Sequence, residues 1–317
     1  MVHEDKWQSQ AEMLVNRVRK TTRKLRGWLR ANGITCYRLY DRDIPEIPIS
    51  ADMYEGRLHI SLYEKKGRHE TDERWLQFMG DALSASLGLE PKTLFIKHRR
   101  QAEGGAQYAP LGNQGIHHPV KEAGLTFLVN LQDYVDTGLF LDHRLTRQLV
   151  RERAGSKRVL NLFAYTGAFS VYAAAGGAET VTTVDLSNTY LDWAKRNMET
   201  NGFVGDRYRY LRDDVLGAVA EKRIEGVYDI IVLDPPTISR SKRMSRSLDI
   251  QRDHAVMLSG LLDHLSPGGI LVFSNNYSRF KMDTASIAAA RIEEITAKTT
   301  SKDFEGRPNH RCWIIEK

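Results

Sequence analysis

A short apolar run that ends in an acid and two prolines constrains this chain more than any other stretch. The run spans Asp229–Thr237, and its residues 230–233 are Ile, Ile, Val and Leu. Four apolar residues in a row predict a strand that is buried on both faces of a parallel sheet. Pro235 cannot donate to a sheet ladder, so we expect the strand to end at Asp234. The Asp234 carboxylate is then predicted at the carboxyl edge of the sheet, where open α/β folds bind ligands. The alternative is a strand end followed by a plain turn.

Charge and cysteine content restrict the classes of function. The chain has 317 residues, enough for two compact units, and a net charge of +6. Residues 1–40 contain nine Lys and Arg and three Asp and Glu. Their net charge of +6 equals the net charge of the whole chain. The two cysteines, Cys36 and Cys312, lack metal-site spacing, so we expect a reducing compartment, no disulfide framework and no metal. No signal core or membrane-crossing run is present, which predicts a cytoplasmic protein without a membrane partner.

The first part of the chain predicts a helix and a small domain. Apolar residues at helical spacing favour one helix over residues 7–31, and basic residues flank its apolar stripe. These cations form either a solvated face or an arm that neutralises phosphates. We predict an N-terminal basic helix over 1–33 and a small α+β RNA-binding domain over 34–124. The domain should contain strands at 37–40, 58–63 and 93–97 and a helix at 72–87.

The rest of the chain alternates between strand and helix patterns. A linking hairpin and helix are predicted over 125–155, with a strand at 126–131 and Asp142 as the N-cap of a helix over 142–153. From 156 to 317 the alternation predicts parallel βαβ units in a doubly wound α/β sheet. The expected strands are 158–164, 180–185, 208–212, 228–234 and 269–275, then 293–300 and 311–316, and the expected helices are 168–175, 188–201, 215–223 and 247–265.

The turn after the first of these strands indicates the type of cofactor. It contains a single glycine, Gly167, whereas a dinucleotide-binding turn needs three glycines at fixed spacing around a pyrophosphate. A nicotinamide dehydrogenase is therefore disfavoured, and a cofactor without phosphates, such as S-adenosylmethionine, fits better. Asp185 ends the second strand and can accept hydrogen bonds from ribose hydroxyls. Asp213 or Asp214, after the third strand, can accept from an adenine amino group.

Longer motifs make the chain resemble a known family. They are Asp133–Arg144, Asn161–Phe163 with Tyr165–Gly167, Thr182–Asp185, Asp234–Thr237, Ser241–Met244, Gln251–His254, Phe273–Asn276 and Glu294–Thr296, together with the basic helix and Cys36–Asp41. The chain resembles class I S-adenosylmethionine-dependent methyltransferases of the RlmK type, the C-terminal half of the bifunctional bacterial RlmKL enzyme. Two departures are Ile238, where the family has Phe, and Tyr277–Arg279, which is less basic than the family pattern.

The resemblance implies a function and a set of site residues. The family methylates N7 of one guanine in 23S ribosomal RNA, so the expected partner is that RNA or its large-subunit precursor. A separate protein would replace the family's other half, which methylates a guanine amino nitrogen. The expected catalytic loop is Asp234, Pro235, Pro236 and Thr237. The expected cofactor-binding residues are Phe140, Asp142, Arg144, Asn161, Phe163, Tyr165, Thr166, Gly167, Asp185, Leu186, Asp213, Asp214 and Asp234.

The chemistry at these positions favours N7 but leaves alternatives open. Guanine N7 carries a lone pair and no proton, so Asp234 is assigned to electrostatics and positioning rather than to proton removal. Methylation of pyrimidine C5 needs a cysteine nucleophile near the Asp-Pro-Pro loop, and none is there. Methylation of guanine N2 or adenine N6 stays open as an alternative, although enzymes of that type usually have an aromatic residue after the two prolines and Thr237 cannot stack. A non-catalytic RNA-binding assembly factor remains a further alternative.

Two basic stretches are candidate RNA contacts. Arg240, Lys242, Arg243 and Arg246 follow the Asp-Pro-Pro loop and are expected to clamp phosphates beside an unstacked nucleotide. Lys97, Arg99 and Arg100 are expected to add a second contact from the small domain. Replacing the first four with alanine should flatten the salt dependence of RNA binding, by up to about 0.7 per lost single-strand contact.

Overall fold

The structure, a computed structural model, describes residues 2–63, 73–99, 112, 114–240, 244 and 246–317. It divides into two compact units. The first comprises residues 1–124 and 129–137, and the second comprises residues 125–128 and 138–317. The division into four parts made from the sequence remains a prediction.

The first unit combines two helices with a four-stranded sheet. Its elements are α1 (Val2–Ala31), β1 (Cys36–Asp41), β2 (Ile49–Tyr54), β3 (Arg57–Tyr63), α2 (Glu73–Ser86), β4 (Leu94–Arg99) and β5 (His118–Glu122). The sheet order is β1-β2-β3-β4, antiparallel except for the parallel pair β3 and β4. The α1 residues Ala11, Leu14 and Val18 are buried in this unit's core, because apolar residues at helical spacing share one face.

The second unit begins with β6 (Leu125–Val129), whose last residue lies in the first unit. Its other elements are α3 (Arg144–Arg153), β7 (Arg158–Leu162), α4 (Ala168–Ala175), β8 (Thr180–Asp185), α5 (Asn188–Thr200), β9 (Tyr208–Arg212), α6 (Val215–Ala220), β10 (Tyr228–Leu233), β11 (Ile238–Ser239), β12 (Leu248–Asp249), α7 (Ile250–Leu262), β13 (Leu265–Asn275), β14 (Arg291–Glu294), α8 (Thr296–Thr299) and β15 (Arg311–Glu316).

The second unit is built on a seven-stranded sheet in the order β14-β15-β13-β10-β7-β8-β9. The five strands from β13 to β9 are parallel, and β15 and β14 add an antiparallel edge. The chain leaves β7 toward β8 and β9 on one side, and β10 and β13 lie on the other side. The order therefore reverses between β7 and β10, which is where doubly wound sheets form a ligand crevice.

Strict alternation along the central strands gives the sheet two different faces. Leu160, Leu162, Ile231 and Leu233 belong to an apolar core with α6 and α7. The intervening Asn161 instead donates from Nδ2 to Ser170 Oγ in α4 (2.9 Å). The central strands β7 and β10 are thus covered on both sides, as the apolar run before Asp234 predicted.

Several local predictions differ from the structure, and three of them have a clear physical reason. The strand β2 was not predicted, because its residues Ser50 and Asp52 break the apolar pattern although both are buried. The predicted strand 293–300 is instead β14 followed by α8. Its last sheet-like bond is from the Ile295 N–H to the Cys312 carbonyl (2.8 Å), and the chain then turns. The helix predicted from Asp142 begins at Arg144 and has His143 as its N-cap residue.

Within the described residues, no helix combines the length and apolar character needed to cross a lipid bilayer.

Truncation of a core leucine should test the packing of α7 on the sheet. Leu258 is fully buried in the apolar core, so Leu258→Ala should lower the free energy of unfolding by about 2–5 kcal/mol. Val256 lies on the same helix but is 55% exposed, so Val256→Ala should change it by about 0.5 kcal/mol or less. Urea unfolding followed by circular dichroism measures both values, and equal losses would contradict the assigned burial.

Candidate active site

The turn after β7 holds an unusual backbone conformation. Phe163, Tyr165 and Gly167 have φ angles of +53°, +51° and +73°. The first two are costly for residues with a Cβ and persist only where neighbouring contacts hold them. The Ala164 N–H donates to the carbonyl of Val184 (3.0 Å), which ties the turn to the end of β8. The strain is therefore supported by the neighbouring strand at the crevice of the sheet.

Asp185, the last residue of β8, receives hydrogen bonds from this turn. The backbone N–H of Tyr165 donates to its Oδ2 and the N–H of Ser187 donates to its Oδ1, both at 2.9 Å. Burial raises the pKa of Asp185 to about 6, against the opposing effect of these backbone donors. The carboxylate is half-buried, and its remaining lone pairs can accept from hydroxyl groups.

The two acids after β9 have different surroundings. Asp213 forms an ion pair with Arg223, and its backbone N–H donates to the Asp185 carbonyl (3.3 Å). Asp214 is buried and lies at the N-terminus of α6, where its carbonyl accepts from the Ala218 N–H. The structure thus brings both acids to the same edge as Asp185.

The Asp-Pro-Pro-Thr loop follows β10 at the adjacent point of that edge. Ser274 Oγ donates to Asp234 Oδ1 (2.6 Å), and His143 Nε2 lies 3.4 Å from Asp234 Oδ2. Thr237 Oγ1 donates to Oδ1 of Asn276, just beyond β13. Both ends of the loop are therefore attached to neighbouring parts of the second unit.

A buried polar cluster lies behind Asp234. His310 Nδ1 is 3.1 Å from Asp142 Oδ2, and its Nε2 is 3.2 Å from Thr299 Oγ1. The His310 and His143 rings stack with centroids 4.1 Å apart and an interplanar angle of 23°. Burial lowers the pKa of His143, although the nearby Asp234 carboxylate opposes this. Both ring nitrogens of His310 are within hydrogen-bonding distance of a partner in the protein. This geometry favours hydrogen bonding in the cluster of Asp142, His143 and His310.

Comparisons with known proteins decide the family. The sequence profile of S-adenosylmethionine-dependent methyltransferases matches residues 40–307. The chain belongs to this family.

Curated relatives and solved structures agree with the assignment. The methyltransferase is 45% identical over 303 residues to "Ribosomal RNA large subunit methyltransferase K" of Neisseria meningitidis serogroup B, covering 95% of this chain and 86% of the relative. It is 44% identical over 315 residues to "Ribosomal RNA large subunit methyltransferase K/L" of Methylococcus capsulatus, covering 96% of this chain and 42% of the relative. The chain therefore spans less than half the length of that K/L relative.

Solved structures show the same fold at lower identity. A protein described as a SAM-dependent methyltransferase from Streptococcus mutans matches with a TM-score of 0.74 at 22% identity, covering 97% of this chain and 81% of that chain. Another described as a methyltransferase complexed with S-adenosylhomocysteine gives the same TM-score and identity and covers 97% and 82%. These matches support the class I methyltransferase fold.

The residues of this methyltransferase fit S-adenosylmethionine. The Asp185 carboxylate can accept from ribose hydroxyls, while Asp213 and Asp214 place further acceptors at the same edge. The strained turn brings the backbone close to this edge of the sheet. It lacks the repeated glycines that a pyrophosphate-binding turn needs. Phe140 is 41% exposed and its ring lies 5.2 Å from that of Tyr165, so it can cover an apolar part of a ligand. When bound, the cofactor supplies an electrophilic methyl group on a sulfonium.

Several residues expected to bind the cofactor have protein partners instead. Asp142 contacts His310, which explains why its carboxylate does not cap the following helix. Arg144 is buried and pairs with Asp303 through Nη1 (3.2 Å). Asn161 is buried beneath α4. These contacts orient the three side chains within the protein, and their roles in cofactor binding stay predictions.

The remaining members of the expected set lie close to Asp185. Thr166 is buried, and its Oγ1 donates to the Gly138 carbonyl (2.6 Å). Leu186 is half-buried, and its carbonyl accepts from Arg212 Nε (3.2 Å). Both help to hold the backbone on either side of Asp185, and they stay proposed cofactor contacts.

The supports of Asp234 were not assigned from the sequence. His143 and Ser274 occur within the motifs Asp133–Arg144 and Phe273–Asn276, but no spacing rule connects positions 143, 234 and 274. Only the sheet order brings them together. A polar residue at the end of β13, next to the predicted Asp-Pro-Pro strand, is the one signal that could have identified Ser274.

The expected RNA contacts are only partly described. Arg100, Lys242 and Arg243 lie outside the described residues, as does the side chain of Arg99. The predicted phosphate contact of Lys97 does not fit the structure. Its buried Nζ donates to the carbonyls of Asn130 (3.3 Å) and Tyr134 and cannot reach a phosphate. Arg240 is exposed. Arg246 is half exposed and pairs with Asp253 (2.9 Å), so a phosphate would compete with that carboxylate.

Protonation of Asp185 should weaken cofactor binding in acid. The ionised carboxylate accepts from ribose hydroxyls, and its raised pKa of about 6 means that it gains a proton as pH falls through that value. Affinity for S-adenosylmethionine should therefore be full above pH 7 and fall toward tenfold per pH unit below about pH 6. Isothermal titration calorimetry between pH 5 and 8 measures this dependence. Asp185→Asn should bind more weakly at pH 7.5 and lose the dependence, and an unchanged slope in that variant would contradict the assignment.

Gly167 should be required for its position as well as for its backbone angle. A Cβ added there would lie 2.6 Å from the Ala194 Cβ, whereas at Gly202, with φ +77°, it would meet nothing within 4 Å. Both Gly167→Ala and Gly202→Ala should incur about 1–2 kcal/mol of backbone strain in urea unfolding. Only Gly167→Ala should lower the free energy of unfolding by more than this strain and also weaken cofactor binding in calorimetry. Equal behaviour of the two variants would show that the collision is unimportant.

Proposed function

We propose that this methyltransferase transfers a methyl group to N7 of a guanine in 23S ribosomal RNA. The observation that carries the proposal is the 45% identity to a ribosomal RNA large subunit methyltransferase K, of which the chain covers 86%. A cytoplasmic location follows from this substrate and is part of the proposal.

The surroundings of Asp234 suit the proposed atom. Methylation at N7 uses an in-plane lone pair and leaves the guanine with a positive charge, so the protein needs a fixed negative group and no proton acceptor. Ser274 Oγ donates to one oxygen of Asp234, and His143 Nε2 lies 3.4 Å from the other. Pro235 and Pro236 restrict the backbone that follows. A rigid backbone of this kind favours a fixed orientation of the base. We therefore assign presentation of the base to the loop Asp234–Thr237.

The cysteines argue against methylation of pyrimidine C5. That reaction needs a thiolate to add to the ring. Cys312 is fully buried in β15, and burial, with a smaller contribution from Asp234, raises the pKa of its thiol far above the usual value. Cys36 is buried in the first unit. Neither thiol has the properties of the required nucleophile.

An amino nitrogen is the second possible target atom. Thr237 takes the place of a stacking aromatic residue and its hydroxyl is bonded to Asn276. Ile238, 49% exposed, offers an apolar surface but no ring. These residues favour N7, and product mapping distinguishes the two nitrogens.

Product mapping tests the proposal directly. Deproteinised large-subunit RNA is incubated with the enzyme and labelled S-adenosylmethionine, and then treated with borohydride and aniline, which cleave at 7-methylguanosine. We expect label in 23S RNA and a single enzyme-dependent cleavage. Label without cleavage would move the assignment to an amino nitrogen, and the absence of label from RNA and from isolated large subunits would refute an RNA substrate.

Neutralising Asp234 should slow turnover without weakening cofactor binding. Asp234→Asn keeps the side-chain shape but removes the charge that opposes the cationic product, so kcat should fall by roughly 10²–10³-fold. The cofactor Kd should change only a few-fold. Asp206→Asn removes one exposed carboxylate elsewhere in the second unit and serves as control. A normal kcat in Asp234→Asn would exclude the electrostatic role.

A further inference from the structure

An unbroken stripe of arginines runs along the exposed side of α1. Arg19, Arg23, Arg26 and Arg30 are separated by four, three and four residues, the spacing that places side chains in one row on a helix. All four are exposed. The stripe covers about 16 Å at a rise of 1.5 Å per residue.

This arrangement lacks the opposite charges that usually accompany exposed cations. Residues 13–40 contain no Asp or Glu. Arg17 pairs with Asp43 (2.6 Å), but no ion pair joins any of the four stripe arginines to a carboxylate of the described residues. Like charges three or four residues apart destabilise a helix. A polyanion bound along the stripe would relieve that repulsion.

We propose that the α1 stripe binds the phosphate backbone of the RNA substrate. The inference deepens the proposed function, since it takes RNA as the ligand. At 3.4 Å per nucleotide of one strand, the stripe would span about five nucleotides. An anionic membrane is disfavoured because surface-bound helices insert an apolar face, and the α1 residues Ala11, Leu14 and Val18 are already buried in the core of their own unit.

Salt-dependent binding tests the stripe. The variant R19Q/R23Q/R26Q/R30Q keeps helix propensity nearly constant and removes the repulsion, so the melting temperature should not fall and cofactor affinity should stay unchanged. Binding of large-subunit RNA is measured by filter retention from 50 to 300 mM salt. The slope of log K against log salt should fall by up to about 0.7 per lost single-strand contact or 0.9 per duplex contact. The control K195Q/R207Q/R209Q/K298Q removes four exposed cations of the second unit and should change the slope less.

The outcomes separate this proposal from the proposed function. A reduced slope without RNA methylation by the wild type would keep the stripe and reject the activity. If the wild type methylates RNA but the salt slope of RNA binding falls no further in the stripe variant than in the control, RNA binding by the stripe would be rejected. Binding of wild type, but not of the variant, to phosphatidylglycerol vesicles with an unchanged RNA slope would replace RNA by a membrane.

A second inference comes independently from the contacts of His143. Its Nδ1 is buried without a hydrogen-bond partner, while its Nε2 lies 3.4 Å from Asp234 Oδ2. An unpaired buried N–H is costly, and an unpaired lone pair is tolerated better. The proton therefore belongs on Nε2, facing Asp234. The other charged groups around the ring are Asp142, His310 and Arg147.

We infer that His143 is a positioning residue that, together with Ser274, fixes the carboxylate of Asp234 for the reaction. Glutamine can place an amide N–H near the Nε2 position, whereas asparagine reaches only the Nδ1 position. If His143 acts through Asp234, His143→Asn should lower kcat by about 10–100-fold with little change in KM, and His143→Gln should recover most of it.

Two controls keep this second inference independent of stability and of the substrate. His254 is a buried histidine of α7, so His254→Asn should lower the melting temperature without the selective loss of kcat. Nitrogen NMR of labelled protein should show the Nε2–H tautomer of His143 and a shift of its signals in Asp234→Asn, whatever the RNA substrate is. An Nδ1–H tautomer, or equal losses of kcat in His143→Asn and His143→Gln, would overturn the assignment.

Discussion

The register of the parallel strands determines where the functional side chains lie. Val184, Leu162, Leu233 and Phe273 are successive Cα partners across β8, β7, β10 and β13. The next residue on each strand therefore stands at one level of the sheet edge. These four residues are Asp185, Phe163, Asp234 and Ser274. A slip of one residue in any pairing would turn a buried apolar side chain to the opposite face, so the burial of these strands also protects the site.

Much of this arrangement could be predicted from local sequence. The apolar run before Asp234 predicted a buried strand, and the single glycine of the first turn favoured S-adenosylmethionine, the cofactor of the family to which the chain belongs. Asp185 and Asp234 were placed correctly at strand ends because proline and polar residues stop buried strands. Element boundaries differed mainly where polar residues are buried, as in β2, or where threonines form a helical turn, as in α8.

The polar cluster behind the site could not be predicted in this way. His143, Asp234, Ser274 and His310 are far apart in the chain, and their meeting depends on the strand order and on β15 returning beside β13. Lys97 is the converse case, in which local sequence predicted a contact that the fold does not allow. Its position beside other cations suggested a phosphate contact, but the fold buries its amine against backbone carbonyls. Local charge patterns cannot distinguish these two environments.

The anchoring of Asp234 also bears on the type of chemistry that the site favours. A carboxylate whose oxygens face Ser274 and His143 is oriented before any substrate arrives, so little reorganisation is needed as positive charge develops on a base. A general base would instead need freedom to gain a proton and an oxygen left open toward the substrate. The contacts with Ser274 and His143 orient the Asp234 carboxylate, which suits the proposed role of a fixed negative charge. This distinction favours a nucleophile that has no proton to lose, and guanine N7 meets that condition.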